Sequence, residues 1–498
     1  MLAASARLSK THRTFLLWTL VFFCISKCLA QPSISVSPDS GPPTSTVLVS
    51  GSGFGMYKAV DIFFDTSDKA LVLTNSSGAF SGIAISAPSW AKPGKHWISA
   101  VQRTGRIGAQ VAFLVRTNWN QFHFAADHVG LNPYENVLSP STVPSMGLNW
   151  TFPTAGQVEL SPVESNGVIY VGAGFQVYAL KSGTGSLLWQ YTTGDFVGTP
   201  AVANGTVYVT SADGNVYALS ASKGALRWTY QTSSGIPAAR LTVANGTVYV
   251  GSWDTNLYSL DARTGTLNWK FNAGAPIESI PAVANKVVYF AANNFGAQNG
   301  VLYALDGGTG NVLWKFTLPF FFDASPTVVN GVVYIGSGDK NLYAMNSLTG
   351  ALVWQYATDS AERTSPAVEN GAVYVTSEGG LIYALNAYNG RLLWSYNTGS
   401  GDNGFAPSSA SLANKVVYAG FQDGKVYAWS AQNGRLLWQY VTGNAISSTP
   451  VIANGLVYIG SWDNNLYSFG LGVSNTGSEK PRLGSLKPNL SLKLARGR

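Results

Sequence analysis

From Gly156 onward one phrase recurs about every 40 residues, and the way its copies begin and end constrains the fold more than any other feature of the chain. A complete copy, residues 365–399, reads "SPAVENG", a strand "AVYVTS", a tight turn, a strand "LIYALNA", the turn "YNG" and a strand "RLLWSYNTG". Four short strands per copy are the content of a propeller blade. The fourth strands carry seven tryptophans, Trp189, Trp228, Trp269, Trp314, Trp354, Trp394 and Trp438. First strands number eight, around Pro162, Pro200, Leu241, Pro281, Pro326, Pro366, Ser409 and Pro450. The last copy, "GSWDNNLYSFG" at 460–470, stops before its tryptophan, and the missing strand is found upstream in "GLNWTFPT", 147–154, with Trp150. Only a closed ring lets an N-terminal strand complete the last copy. Closure also pairs the two sheet edges that an open array would expose.

Composition agrees with an all-β chain. With 54 glycines, 12% aromatic and only 11% charged residues, it suits short apolar strands better than amphipathic helices. Residues 1–30 read as a signal peptide. Arg7, Lys10 and Arg13 precede the apolar run "TFLLWTLVFFCI", and "CLA" ends at Ala30 with residues suited to cleavage. The run is shorter than the roughly 20 residues a bilayer span needs; a retained anchor is the alternative. Phe23 and Lys27 stand before Cys24 and Cys28 where a lipobox wants a small residue. Both cysteines of the chain fall here, so the mature protein is expected to have neither a disulfide framework nor a thiolate site. Of the formal +7, residues 1–30 carry four Lys and Arg and no acid. Residues 474–498 carry six against Glu479 alone, which leaves the body near −2. That distribution gives no nucleic-acid footprint.

The domains follow in order. Residues 31–117 alternate apolar and polar positions between Gly, Pro, Asn and Ser clusters, the pattern of a small β-sandwich. Residues 118–147 form a connector, 148–473 the propeller, and 474–498 a basic tail expected to be disordered. The connector holds His123 and His128 with Asp127 and Glu135 nearby. Their spacing matches no metal-ligand pattern, so a packed linker is expected rather than a metal site.

The stretch "SPDSGPPTSTVLVSGSGFG" resembles the opening of IPT/TIG and related bacterial immunoglobulin-like domains, which implies a spacer or adhesive module. The phrases "YALKSGTGSLLWQY", "YALSASKGALRWTY" and "YALNAYNGRLLWSY" resemble the tryptophan-docking repeats of pyrroloquinoline quinone-like eight-bladed propellers. That resemblance implies an eight-bladed β-propeller in which Trp150 and the seven other tryptophans are structural. It also implies two functional classes. Quinoprotein dehydrogenases hold the quinone at the ring centre with Ca²⁺ or a similar ion, an Asp base and, in many members, a vicinal disulfide. Non-enzymatic relatives include the lipoprotein subunit of the outer-membrane β-barrel assembly machinery, which binds partners through blade loops. This chain has no vicinal cysteines, no histidine from Gly156 onward, and near-uniform copies with only "NNFGAQN" inserted at 293–299.

Asp213, Asp254, Asp339, Asp423 and Asp463 recur in the second turn of their copies. A carboxylate ring suits cations, but Asp-Gly and Asp-Asn pairs are also what tight hairpins need, and the structural reading is preferred. The "NGT" triplets at Asn204 and Asn245 match glycosylation sequons, and the repeat's own turn explains them. Features that break the repeat lie on the side of the Asp turns: Phe196, Phe320, Phe321, Phe322, Arg363 and Phe405 in fourth-to-first-strand loops, with Trp253 and Trp462 in the turns. They are expected either to plug the central channel or to bind a partner. The reading adopted is a secreted or cell-surface, monomeric, non-enzymatic scaffold that binds a protein or glycan through this face, without cofactor, metal or nucleic acid. The alternative is a pyrroloquinoline quinone-dependent oxidoreductase with Ca²⁺.

Overall fold

Alternating apolar residues, β-branched runs and turn formers leave little in this chain that favours helix, and in the computed structural model almost every element is a strand. The structure describes residues 31–235, 241–322, 324–401, 405–472, 478–489, 491–492 and 494. Residues 1–30, expected from sequence to be a signal peptide, lie outside these. Residues 31–117 form a three-stranded and a five-stranded sheet. Both pack on a shared core that includes Val47, Ile62, Phe64, Ile83, Ile98 and Phe113.

The repeat region forms a β-propeller of antiparallel four-stranded sheets, each but the last made from one copy of the phrase; one gains a short parallel fifth strand, Leu131–Asn132 of the connector, beside Ser411–Ala413. In the last, Val451–Ala453, Leu456–Ser461 and Asn465–Gly470 are completed by Gly147–Pro153, which pairs with Asn465–Gly470. The strand missing from the final copy is therefore supplied from upstream.

The repeated tryptophan explains how neighbouring sheets are held. In the ladder between third and fourth strands the register shifts just before the indole, so that Ala179 faces Trp189 while Leu180 faces Leu187. The same shift recurs in the other sheets that begin and end within the repeat. Such a bulge re-aims a side chain. Here it carries the indole toward the next sheet, where its N–H donates to a turn carbonyl: Trp189 to Ala221, Trp228 to Ala262, Trp269 to Gly307, Trp314 to Ser347, Trp354 to Ala387 and Trp394 to Ala431. Trp438 donates to Met146 and Trp150 to Ser182, which carries the series across the seam. All eight bonds measure 2.8–3.1 Å.

A tyrosine of the second strand shares the acceptor, as Tyr170 does at Ala221 and Tyr458 at Ser182. The turn must let the indole close. At Gly224 (φ 67°), a Cβ would stand 2.6 Å from the Trp189 ring, so only glycine fits both the backbone and the space. The seam differs. Tyr418, whose repeat partner would be the Met146 carbonyl, keeps a buried hydroxyl without a partner among the described residues.

The connector does more than link domains. Running from Thr117 to Asn132, it touches the innermost strand of every sheet. Glu164 and Trp119 exchange two backbone bonds, and the amides of Val202, Val283, Val328, Val368 and Leu412 donate to the carbonyls of Asn120, Ala126, Asp127, Val129 and Gly130. Val243 donates to the Gln121 side chain, and Thr117 and Asn454 bond each other. Innermost strands would otherwise present unpaired amides to the axis. Trp119, Phe122, His123 and His128 are buried here, and Phe122 packs on Ile280 and Leu160.

The tail departs from the expectation of disorder in its described part. Leu483 and Leu486 pack on Phe63 and Val101 of the sandwich. Ser478 N–H donates to the Lys95 carbonyl, the Pro481 carbonyl accepts from Gln110 and the Gly484 carbonyl from Arg106, while Lys480 lies 4.8 Å from the Trp97 ring centre. Two leucines on an apolar patch supply the burial that basic composition concealed.

Replacing Trp150 by Ala should lower unfolding free energy by about 3 kcal/mol, at the lower end for large aromatic deletions because this indole is only partly buried. Truncation through residue 153 should expose the edge of Asn465–Gly470 and give concentration-dependent aggregation in sedimentation experiments. A monomeric truncation with unchanged thermal unfolding would contradict this closure.

Candidate functional site

The fourth-to-first-strand loops and the second-to-third-strand turns emerge on one side of the ring, because alternate connections of a four-stranded antiparallel sheet lie at opposite ends. The aromatic residues singled out from sequence divide here into distinct groups. Phe196 is 60% exposed and meets Phe175 edge-on at 5.1 Å. Phe320 touches Phe321, which touches Phe295. Phe405 packs edge-on against Trp462 at 5.2 Å. Trp253 is half exposed, and its indole donates to Glu278 at 3.2 Å.

Phe322 corrects the sequence reading. It is buried in a core cluster with Leu302, Ile335 and Tyr343, so it is a packing residue and not part of a surface. The run of three phenylalanines straddles the boundary: Phe320 faces out, Phe321 is half-buried, and Phe322 turns in. Two exposed aromatics escaped the sequence reading, Phe175 and Phe295. Phe295 lies in the inserted "NNFGAQN", and Phe175 stands in a turn too short to hold the usual Asp; both departures from the repeat were available signals.

The recurring turn aspartates are structural clasps. Asp213 accepts the Asn215 amide on one oxygen, and on the other the Tyr217 hydroxyl at 2.6 Å and the Gly194 amide of the preceding loop. Asp254 and Asp463 repeat the arrangement, and Asp339 and Asp423 bond their tyrosines in the same way. Burial opposes ionisation of Asp213, yet the bonds from Tyr217 and the two amides bring its pKa below the ordinary value. Groups of carboxylate, histidine or cysteine side chains suited to a metal are absent among the described residues.

Of the three sheets without a turn aspartate, one replaces it from another loop. Its turn has Gly379 where the aspartate belongs, and Asp359 reaches from the preceding loop to accept the Tyr383 hydroxyl at 2.8 Å. Three residues on, Glu362 occupies a position filled elsewhere by apolar side chains. It packs over Gly336 as Val197 does over Gly172, Ile277 over Gly251 and Ile446 over Gly420. Glu362 is fully buried, and among the described residues neither carboxylate oxygen has a hydrogen-bond partner of good geometry. Burial, with Asp359 and Glu378 nearby, pushes its pKa well above the ordinary value. Arg363 pairs with Glu378 at 3.2 Å on the solvent side.

The connector histidines are packing groups. His128 bridges the Pro326 carbonyl and the Thr242 hydroxyl, and His123 meets the His128 carbonyl and stacks on Phe122 at 4.3 Å. Glu135 caps the Val137 and Leu138 amides and accepts from Gly455. Burial lowers the His128 pKa to about 4 and that of His123 to about 3. A histidine held neutral in this way contributes stability that is complete above its ordinary 6.5 and is lost as pH falls toward those values.

Sheet topology and repeated indole docking define a PQQ-like β-propeller, and sequence comparison places it further. The chain belongs to the family described as outer membrane protein assembly factor BamB, whose model matches residues 94–242, 233–318 and 298–492. No curated protein matches the chain in sequence. Among solved structures, BamB from Moraxella catarrhalis is similar over 65% of this chain and 99% of its own, at 19% identity and a TM-score of 0.56. A europium-containing methanol dehydrogenase is similar over 71% of this chain and 98% of its own, at 15% identity and 0.61. The quinohemoprotein alcohol dehydrogenase of Comamonas testosteroni covers 73% and 82%, at 15% and 0.59. At these identities the likeness is one of fold.

Two expected outcomes check these assignments. Phe322→Ser should cost about 3–5 kcal/mol in unfolding free energy, whereas Phe320→Ser should stay within about 0.5 kcal/mol; denaturant titration separates them. In NMR titrations the His123 and His128 rings should remain neutral down to about pH 5, and a midpoint near 6.5 for either would mean that the connector is solvated.

Proposed function

We propose that the protein is a secreted or cell-surface scaffold that binds a protein or glycan partner through the aromatic side of the ring and performs no catalysis itself. The eight sheets of the repeat region are then the blades of an eight-bladed propeller, monomeric in solution. The 31–117 sandwich is an immunoglobulin-like spacer of the IPT/TIG type. Residues 1–30 serve as the secretion signal.

The connector on the ring axis is the observation that carries this reading. A quinone at the ring centre needs an open, polar cavity of its own size, whereas here Phe122, Leu160 and Ile280 meet across the axis and His123 and His128 stand neutral beside them. The inner strand amides are already bonded to the connector. These residues do not fit a quinone. The turn aspartates, the obvious source of a base or of ion ligands, are committed to their tyrosines and amides. Exposed aromatics then remain, as the kind of surface that marks interaction sites. BamB, named for assembly of outer-membrane proteins, provides a precedent of the same fold.

Incubating the purified protein with pyrroloquinoline quinone, Ca²⁺, a panel of alcohols and sugars and an artificial electron acceptor should give no turnover above buffer. Turnover that survives repurification and disappears with chelator would overturn the scaffold reading in favour of the oxidoreductase.

A further inference from the structure

The near-neutral body conceals a segregation of charge between the two sides of the ring. In the turns opposite the aromatic side, joining first to second and third to fourth strands, basic residues predominate among the described residues: Lys223, Arg263, Lys286, Arg391, Lys415 and Arg435, against Asp261, Asp306 and Glu369 at the adjoining strand ends, where Asp261 and Asp306 accept turn amides. On the aromatic side the loops and turns carry Glu159, Asp195, Glu278, Asp359, Glu362 and Glu378 in addition to the five turn aspartates. Their described basic residues are Lys340 and Arg363, with Lys425 at the adjoining strand end, where it pairs with Asp423 at 3.0 Å. Turn aspartates serve the hairpins, but Glu159 is exposed and Asp195 and Glu278 partly so, and the clasp pattern requires none of these three.

The aromatics lie among these acids. Trp253 is bonded to Glu278, and Phe196 adjoins Asp195 in one loop. The 358–366 loop, with its buried Glu362, follows in the ring between the loop of Phe320 and that of Phe405. A carboxyl placed where the repeat puts Val or Ile loses solvation and is pushed toward its neutral form, and a positive charge above it would favour its ionisation. Arg363 supplies one such charge, already shared with Glu378.

We infer that the aromatic side of the ring takes a cationic protein segment in which lysine or arginine alternates with apolar or aromatic anchors. This rests on the scaffold reading above and gives the partner its chemistry. Anchors would lie against the Phe196, Phe320 and Phe405 groups while the basic side chains meet Glu159, Asp195 and Glu278, the arrangement in which exposed charges steer encounter and buried aromatics supply affinity. A second copy of this chain is the weaker occupant, because the basic side is where the sandwich sits. Pro93, Gly94 and Leu114 share a cavity of about 310 Å³ with Asn166, Gly183 and Gly455 of those turns.

The test uses the full chain and a fluorescein-labelled peptide in which lysine and arginine alternate with leucine and tryptophan, followed by anisotropy. The peptide should bind, more weakly as salt rises. The triple variant Glu159→Lys, Asp195→Lys, Glu278→Lys should bind at least about tenfold more weakly with unchanged thermal unfolding, and Lys223→Glu with Arg263→Glu on the opposite side should leave binding within about twofold. Equal binding by the triple variant, or equal binding of a peptide with acids in place of the bases, would overturn the charge assignment. If Phe320→Ser with Phe405→Ser still weakens binding in that case, the docking face stands and only its charge preference falls; if no variant on this side changes binding, both readings fall. Tighter binding of a neutral glycan than of the peptide, or self-association in sedimentation that the triple variant abolishes, would assign the side to those occupants and overturn the inference.

Discussion

The hydrogen bond from each repeat indole to a turn carbonyl of the next sheet is the interaction on which the ring depends. It is modest by itself, about 1 kcal/mol net. Its importance lies in what it aligns. The bulge before the tryptophan, the glycine on which the ring lies and the tyrosine that shares the acceptor are all satisfied by one relative placement of two sheets. Because Trp438 reaches Met146 and Trp150 reaches Ser182, the placement repeats until it returns to its start. The seam is also where the pattern weakens, since a connector carbonyl replaces a turn and Tyr418 is left without a partner among the described residues.

Closing a ring of sheets creates a second problem, the inner strands facing the axis. In this chain the connector takes the inner amides sheet after sheet, and its aromatics fill the space the edges enclose. The interior is thus committed to structure, and chemistry available to solvent is moved to the loops on the two sides. Those sides differ in kind: basic turns carry the sandwich, while acidic loops carry exposed phenylalanines and tryptophans. The proposed binding role rests on that division of the surface.

Much of this was legible in residue spacing. The mismatch of seven downstream tryptophans with eight first strands located Trp150, and the Asp-Gly and Asp-Asn pairs indicated hairpins, although not that each aspartate would also hold a tyrosine and a neighbouring loop. Periodicity reports which residues share a role, so residues outside the repeat were misjudged. Residues 118–132 look like a linker because their bonds go to eight separate strands, none of them near in sequence. Phe322 looked like its neighbours because a period of three aromatics cannot reveal which one turns inward. Tail residues Leu483 and Leu486 were masked by the lysines and arginines around them. Glu362 was visible only as a letter until Gly336 and its counterparts showed that its position belongs to Val and Ile.

Amide hydrogen exchange at the innermost strands tests most directly whether the chain fills its own ring. With Val202, Val283, Val328, Val368 and Leu412 donating to the connector, their amides should be protected to the same degree as those of the second strands. Exchange at the rate of exposed turn amides would mean that the axis is open to water, and that the connector, with the non-catalytic reading built on it, does not occupy the centre.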